Sequence, residues 1–333
     1  MIEGFYGVDD MEDRLAYQYK LLRIGKISCV EIIKIIAQDD VPPSISGKNM
    51  RQQESIEDIM KELDTLIGLD DVKKLVREIQ AFAIIQKKRR EENLNADTLV
   101  FHMIFKGNPG TGKTTVARIM ARVFNKIGIL EKGQLIEVER ADLVGEYIGH
   151  TAQKVREQIK KALGGILFID EAYSLARGGD KDFGKEAIDT LVKAMEDNKD
   201  NLILILAGYK DEMEYFISIN PGLKSRFPIK IEFKDYTLNE LIKISKIFVE
   251  KREYKMSTDA KKKITLLLQK KIENSDYRMG NARLVRNIVE MAIRKQAVRL
   301  VDKKVISRDD LITLKGEDFF DVEDTNETFF DSR

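Results

Sequence analysis

The chain of 333 residues has no tryptophan, one cysteine, two histidines and five prolines. A single cysteine closes no intrachain disulfide, and one Cys with two His cannot assemble a zinc cluster; the count fits a reducing compartment. Few prolines and no tryptophan suit a helix-rich protein with few rigid loops. Long apolar runs are missing as well: no stretch of about 18 apolar residues occurs, so no membrane-spanning helix is expected. The start, MIEGFYGVDD, lacks a basic segment followed by an apolar run and is not read as a secretory signal. A surplus of either charge is also absent. Lys+Arg number 57 against 56 Asp+Glu, a net charge of +1, which argues against a nucleic-acid or membrane specialist. What is present is 43% hydrophobic and 34% charged residues, enough to fold and to solvate a surface, and this excludes a disordered chain. The length predicts about two domains.

Along the chain, Met11, Leu15, Tyr19 and Leu22 recur at helical spacing. Ser28 to Glu31 is a capping-box pattern opening a second amphipathic helix with Val30, Ile33 and Ile36, on which Cys29 reads as a core residue. The prolines, Ser and Gly of VPPSISGKNM (41–50) mark a linker. Two helical stretches then lead from Ser55 to VFHMIF (100–105), and further apolar runs follow at 134–139, 165–170, 202–208 and 229–233, with helical patterns between. Runs this continuous suit strands buried on both faces of a parallel sheet covered by helices. His102, within the first run, reads as a satisfied core or sheet histidine. Past about residue 235 the patterns at 238–251, 258–272 and 281–300 predict a small all-helical domain. The end, GEDFFDVEDTNETFFDSR, carries seven acidic residues against one Arg and reads either as a disordered tail or as a partner-binding segment.

Two motifs carry chemistry. Gly107-Asn108-Pro109-Gly110-Thr111-Gly112-Lys113-Thr114 fits G-x-x-x-x-G-K-[ST] between a strand and a helix expected from Thr115 to Phe124. Glycines let the backbone curl so that N–H groups point at phosphate oxygens, aided by the helix N-terminus. Lys113 then reaches the β- and γ-phosphates and the Thr114 hydroxyl binds Mg²⁺. Asn108, Pro109, Gly110, Thr111, Gly112 and Thr115 complete the candidate ATP contacts. The second motif is Ile166 to Glu171, an apolar strand ending in two carboxylates. Asp170 would hold the Mg²⁺ through its water shell, and Glu171 would polarise an attacking water. The adjacent Glu favours ATP over GTP chemistry, and no N-K-x-D motif for reading guanine occurs.

The order of P-loop, aromatic loop, strand-end carboxylates and two later arginines resembles the AAA+ ATPases over roughly residues 55–315. GNPGTGKTTVAR, ERADLVGEYIGHTAQK, GGILFIDEAYSLARGG and DFGKEAIDTLVK resemble the branch of stage V sporulation protein K and the red-type Rubisco activases; NPGLKSRFP and KREYKMS incline it to the sporulation side. This resemblance implies an α/β domain with a five-stranded parallel sheet and helices on both faces (51–235). It also implies a helical lid (236–315), beside an N-terminal helical extension and linker (1–50) and an acidic tail (316–333). A homo-hexameric ring is implied, with each ATP between two subunits. Arg226 matches the arginine finger that enters the neighbour's site, and Arg283, in Gly280-Asn281-Ala282-Arg283, matches the lid arginine that reaches the γ-phosphate. Ile67 and Gly68 match the segment packed on adenine, although an apolar helix-end turn would look the same. Tyr147-Ile148-Gly149 resembles the first pore loop of protein-threading members, where an aromatic grips an extended chain and Gly lets the loop swing; the alternative is a packing tyrosine. RGGDKDFG (177–184) is a second pore-loop candidate, and His150 reads as a surface residue beside the aromatic loop. One departure is Ala207-Gly208-Tyr209, where many AAA+ proteins carry a polar residue, often Asn, that positions water. The expected function is Mg²⁺-dependent ATP hydrolysis in a cytoplasmic ring that remodels an unidentified protein, in spore maturation. The alternatives are a Rubisco-activase-like remodeller, a nucleotide-dependent assembly switch, and a nucleic-acid motor, against which the near-neutral charge and the aromatic loop weigh.

Overall fold

Each of the five apolar runs forms a strand: β1 Met103–Gly107, β2 Leu135–Val138, β3 Ile166–Ile169, β4 Ile203–Gly208 and β5 Ile229–Phe233. This computed structural model describes residues 54–95, 100–147, 149–177, 182–273 and 280–320. The helices, linker and Cys29 read within residues 1–50 lie outside the described residues, as do Ile148, positions 178–181 of the second pore-loop candidate, and the tail from 321 on. The strands pair in parallel in the order β2-β3-β4-β1-β5.

Successive strand side chains point to opposite faces, and here both faces are covered. Met103, Phe105, Ile166, Phe168, Ile203 and Ile205 face a layer made by the helices Ile56–Thr65, Asp70–Glu91 and Lys113–Ile127. Ile104, Leu167, Ile169, Leu204 and Leu206 face a layer made by His150–Ala162, Gly184–Asp197 and Lys210–Ile219. That double burial is why the strands read as unbroken apolar runs. Phe105 packs between Phe168 and Phe233, with ring centroids 6.4 and 5.0 Å away. Burying a ring of this size contributes about 1.5–3 kcal/mol, so the strand that ends at Gly107 is firmly anchored. The edge strand β2 is only half buried, and its outward Glu137 pairs with Arg118.

The helix after β1 begins at Lys113, two residues earlier than expected, so Lys113 and Thr114 sit in its first turn. Its apolar positions, from Val116 through Ile119, Met120 and Val123 to Ile127, keep helical spacing, and it stops at Gly128, whose φ of 86° suits glycine. The helix after the aromatic loop starts at His150.

The lid consists of the helices Leu238–Glu250, Thr258–Glu273 and Asn281–Val301 around their own apolar core. It is not all-helical: Lys255–Met256 (β6) and Thr313–Leu314 (β7) pair in parallel. Two residues per strand leave no periodicity to read. The buried Gln296 amide holds the returning chain by donating to the carbonyls of Asp310 (2.8 Å), Leu311 (3.0 Å) and Thr313 (3.3 Å). Packing continues past residue 315. Asp318, buried, takes two hydrogen bonds from Arg299 at 2.8 and 2.9 Å, and Phe319 is buried in the lid core. No described helix is long and apolar enough to cross a membrane.

His102 lies just ahead of β1, buried, and its Nδ1 accepts the Leu204 N–H at 3.0 Å. It is thus a satisfied sheet histidine, and the bond requires an unprotonated Nδ1. Burial pushes its pKa down to about 4, from an ordinary value of 6.5. The unfolded chain therefore takes up a proton that the fold refuses. The stability is complete above about pH 6.5 and falls as the pH drops toward 4, by on the order of 3 kcal/mol. Urea titrations of wild type and His102→Asn at pH 7 and 4.5 should show the wild type losing that much more on acidification. An unchanged difference between the two proteins would mean His102 does not titrate in this way.

Candidate active site

Three parallel strand ends meet one cleft of about 1500 Å³: the P-loop after β1, Asp170 and Glu171 after β3, and Gly208-Tyr209 after β4. Ligands of open α/β sheets bind at the carboxyl ends of such strands. The cleft is completed by the turn Thr65–Leu69 on one side and by Ile244, Ile247 and Phe248 of the lid on another. Ile67, Pro109, Gly110, Gly112, Lys113, Thr114, Thr115, Asp170, Glu171 and Arg283 all line it.

Three of the candidate ATP contacts do not line it. Asn108 turns its amide to the Asp235 carboxylate, at 2.8 and 3.0 Å. Thr111 is fully buried, and its hydroxyl donates to the Asn108 carbonyl at 2.8 Å. Gly68 has a φ of +62°, and a Cβ there would lie 2.3 Å from Oε1 of Glu240, so its place is to turn the chain beneath the lid.

The Lys113 ammonium donates to the carbonyls of Gly107 (2.8 Å) and Asn108 (2.9 Å). Burial pulls its pKa below the usual lysine value, while the nearby Asp170 carboxylate opposes that shift. A half-buried cation with a carboxylate across from it is an arrangement that a polyanion would complete. Glu171 has φ 46° and ψ 42°, a left-handed conformation that costs a non-glycine residue on the order of 1 kcal/mol or more. Its N–H donates to Asp170 Oδ1 at 3.0 Å, and its side chain is exposed on the cleft. Strain of this kind aims one chosen side chain out of an otherwise fully buried strand. Tyr209 is the polar side chain that the end of β4 brings to the cleft, and its ring lies 5.9 Å from that of Tyr173. Gly208 is required beside it, because a Cβ there would meet Tyr173 at 2.7 Å.

Arg226 does not line the cleft of its own chain. Its Nε donates to Glu196 at 3.0 Å and its Nη1 to the Gly222 carbonyl at 2.9 Å. Tyr147 is 66% exposed, with its ring 5.5 Å from the exposed His150. Its loop is tied at the base, where Thr151 Oγ1 accepts the Gly145 N–H (3.0 Å) and Lys154 donates to the carbonyls of Ala141 and Val144 (both 3.1 Å). Gly145, Glu146 and Lys154 also border the cleft, so loop and cleft share a wall. Of the 177–184 stretch, Asp182 is held by Arg140 at 2.6 and 2.8 Å, which keeps its carboxyl below the usual range.

Sequence reasoning missed Tyr236, Arg140, Lys154 and the lid residues Ile244 and Phe248. The last two carry ordinary helical periodicity that reads as core. Tyr236 belongs to no motif, and Arg140 and Lys154 lie in the stretch ERADLVGEYIGHTAQK without a role that spacing assigns; only the folded chain brings them to the P-loop or the cleft.

This fold and cleft define a P-loop nucleotide-binding module closed by a helical lid. Residues 103–235 match the model of the ATPase family associated with various cellular activities (AAA), and residues 237–329 match the AAA lid domain. Stage V sporulation protein K of Bacillus subtilis (strain 168) is 53% identical over 81% of this chain and 84% of its own. The chloroplastic ribulose bisphosphate carboxylase/oxygenase activase of Cyanidioschyzon merolae is 44% identical over 80% of this chain and 92% of its own. Among solved structures, the FIGL-1 AAA domain in complex with ADP has a TM-score of 0.53 at 18% identity, covering 79% of this chain and 87% of that one. The chain belongs to the AAA ATPases, in the branch that holds stage V sporulation protein K and the red-type Rubisco activases.

Proposed function

We propose that this protein is an ATP-hydrolysing subunit of a cytoplasmic homo-hexameric ring that remodels a protein substrate through a central pore, in spore maturation. The observation that carries the catalytic part is the convergence of Lys113, Thr114, Asp170, Glu171 and Arg283 on one cleft. Peptide N–H groups of the loop and the Lys113 ammonium bind the phosphates, with Arg283 reaching the γ-phosphate from the lid. Leu66, Ile67 and Leu69 on one side and Ile244 and Phe248 on the other supply apolar surface for the adenine. The Thr114 hydroxyl and the Asp170 carboxylate are hard oxygen donors, and a site of few protein oxygens and room for water suits Mg²⁺. When bound, the ion would neutralise phosphate charge there. Glu171 accepts a proton from the attacking water, and its exposed, strained position supports that assignment.

The ring is supported by Arg226. A finger that serves a neighbour is expected outside its own cleft, and that is where this guanidinium lies. The pore assignment is supported by the exposed aromatic ring of Tyr147 on a loop that shares a wall with the cleft. The sporulation role rests on the likeness to the Bacillus protein, and nothing in the cleft identifies the sugar-phosphate effector or Rubisco contact that the activase alternative would need.

Glu171→Gln is expected to bind ATP as the wild type does and to lower turnover by about 10²–10⁴-fold; wild-type turnover would remove Glu171 from the role. Arg226→Ala and Lys113→Ala should each be inactive alone, and mixing them should restore part of the ATPase, because some interfaces then pair an intact P-loop with an intact finger. No recovery at any ratio would sink the shared site. Adding Tyr147→Ala to the Glu171→Gln trap should abolish co-purification of captured protein from a sporulating-cell lysate while ATP stays bound. Capture of the same proteins without the ring of Tyr147 would favour the assembly switch instead.

A further inference from the structure

The carbonyls of the P-loop are consumed one after another by the protein itself. Gly107 and Asn108 accept from Lys113. Pro109 accepts from the Asn281 amide at 3.3 Å, Gly110 from the Ala282 N–H at 3.1 Å, and Thr111 from the Tyr236 hydroxyl at 3.2 Å. The last three donors belong to the hinge and to the first turn of the lid helix Asn281–Val301. Asn281 is fully buried and left-handed, with φ 43°. Its Nδ2 also donates to Asp235 at 2.8 Å, while its Oδ1 accepts the Tyr236 N–H at 3.0 Å. Asp235 in turn accepts the Asn108 amide. The approach is so close that a Cβ on Gly110 would stand 2.2 Å from the Gly280 carbonyl oxygen.

A trans peptide is planar, so its C=O and N–H point in opposite directions, and no cis bond occurs here. Turning the carbonyls of Pro109, Gly110 and Thr111 toward the hinge and lid therefore turns the N–H groups of Gly110, Thr111 and Gly112 the other way, toward the phosphate side. We infer that Asn281, with Asp235, is a positioning residue that latches the lid to the back of the P-loop and holds its amides in the anion-binding orientation. Nucleotide affinity and lid docking are then one equilibrium: whatever moves the lid loosens the cradle. The inference rests on the reading of residues 107–114 as the phosphate loop.

The test reads ADP, which lacks the γ-phosphate assigned to Arg283. In a fluorescent-ADP titration of the full chain, Asn281→Ala should weaken binding by about 10-fold or more, as loss of a buried charge-assisted bond predicts, while Arg283→Ala weakens it far less. Asp235→Ala, which removes the carboxylate that fixes the Asn281 amide, should weaken ADP binding in the same direction. Unchanged ADP affinity in Asn281→Ala, even with a lowered Tm, would overturn the latch and leave the phosphate loop intact. Wild-type ADP affinity in Lys113→Ala would overturn the loop reading and the latch with it.

Discussion

A phosphate loop must expose several peptide N–H groups on one side without leaving its carbonyls unpaired on the other. The rest of this structure follows from that requirement. A buried carbonyl without a donor costs about 1–3 kcal/mol, so a loop of six peptides needs donors of its own. Here they come from Lys113, from the hinge at Tyr236 and from the lid at Asn281 and Ala282. The glycines are the other half of the solution. Gly107, Gly110 and Gly112 all have positive φ, and Gly107 and Gly110 also face backbone carbonyl oxygens closer than any Cβ tolerates. The lid is therefore structural support for the loop as well as a cover for the cleft.

The charges of the cleft are arranged with the same economy. The half-buried Lys113 is disfavoured as a cation by the water it loses, and Asp170 offsets part of that effect. Glu171 stays exposed only because its backbone adopts a strained turn immediately beyond the fully buried β3. One carboxylate supports the cation and the next faces the cleft. Two adjacent residues so acquire different surroundings from the end of one strand.

Most of the scaffold was legible in the sequence because double burial writes itself as continuous apolar runs, and all five strands appear where those runs stand. The P-loop and the Asp170-Glu171 pair were legible because both need fixed residue types at fixed spacing. Asn108, Thr111 and Gly68 show the limit of that reasoning: the Asn108 and Thr111 side chains bond to the hinge and within the loop, and Gly68 turns the chain beneath the lid. The latch was not legible at all. Asn281 and Asp235 are 46 residues apart, and the asparagine's importance comes from a left-handed turn that only the docked lid imposes. β6 and β7 escaped for a simpler reason, since strands of two residues have no pattern.

Arg226 carries the remaining tension, because a finger proposed for a neighbouring subunit is engaged here within its own. Its partner Glu196 has a side chain 58% exposed, and the Arg226 side chain is 32% exposed. Pairs that are this open to water are worth about 0–1 kcal/mol, so releasing Glu196 costs little. A triphosphate in a water-poor interface, by contrast, meets a guanidinium in a low dielectric where charge-assisted bonds are far stronger. The proposed exchange of partners is therefore downhill once a second subunit closes over the cleft. Until then, the pair with Glu196 and the bond to Gly222 hold the side chain in one orientation and limit the ordering needed on assembly.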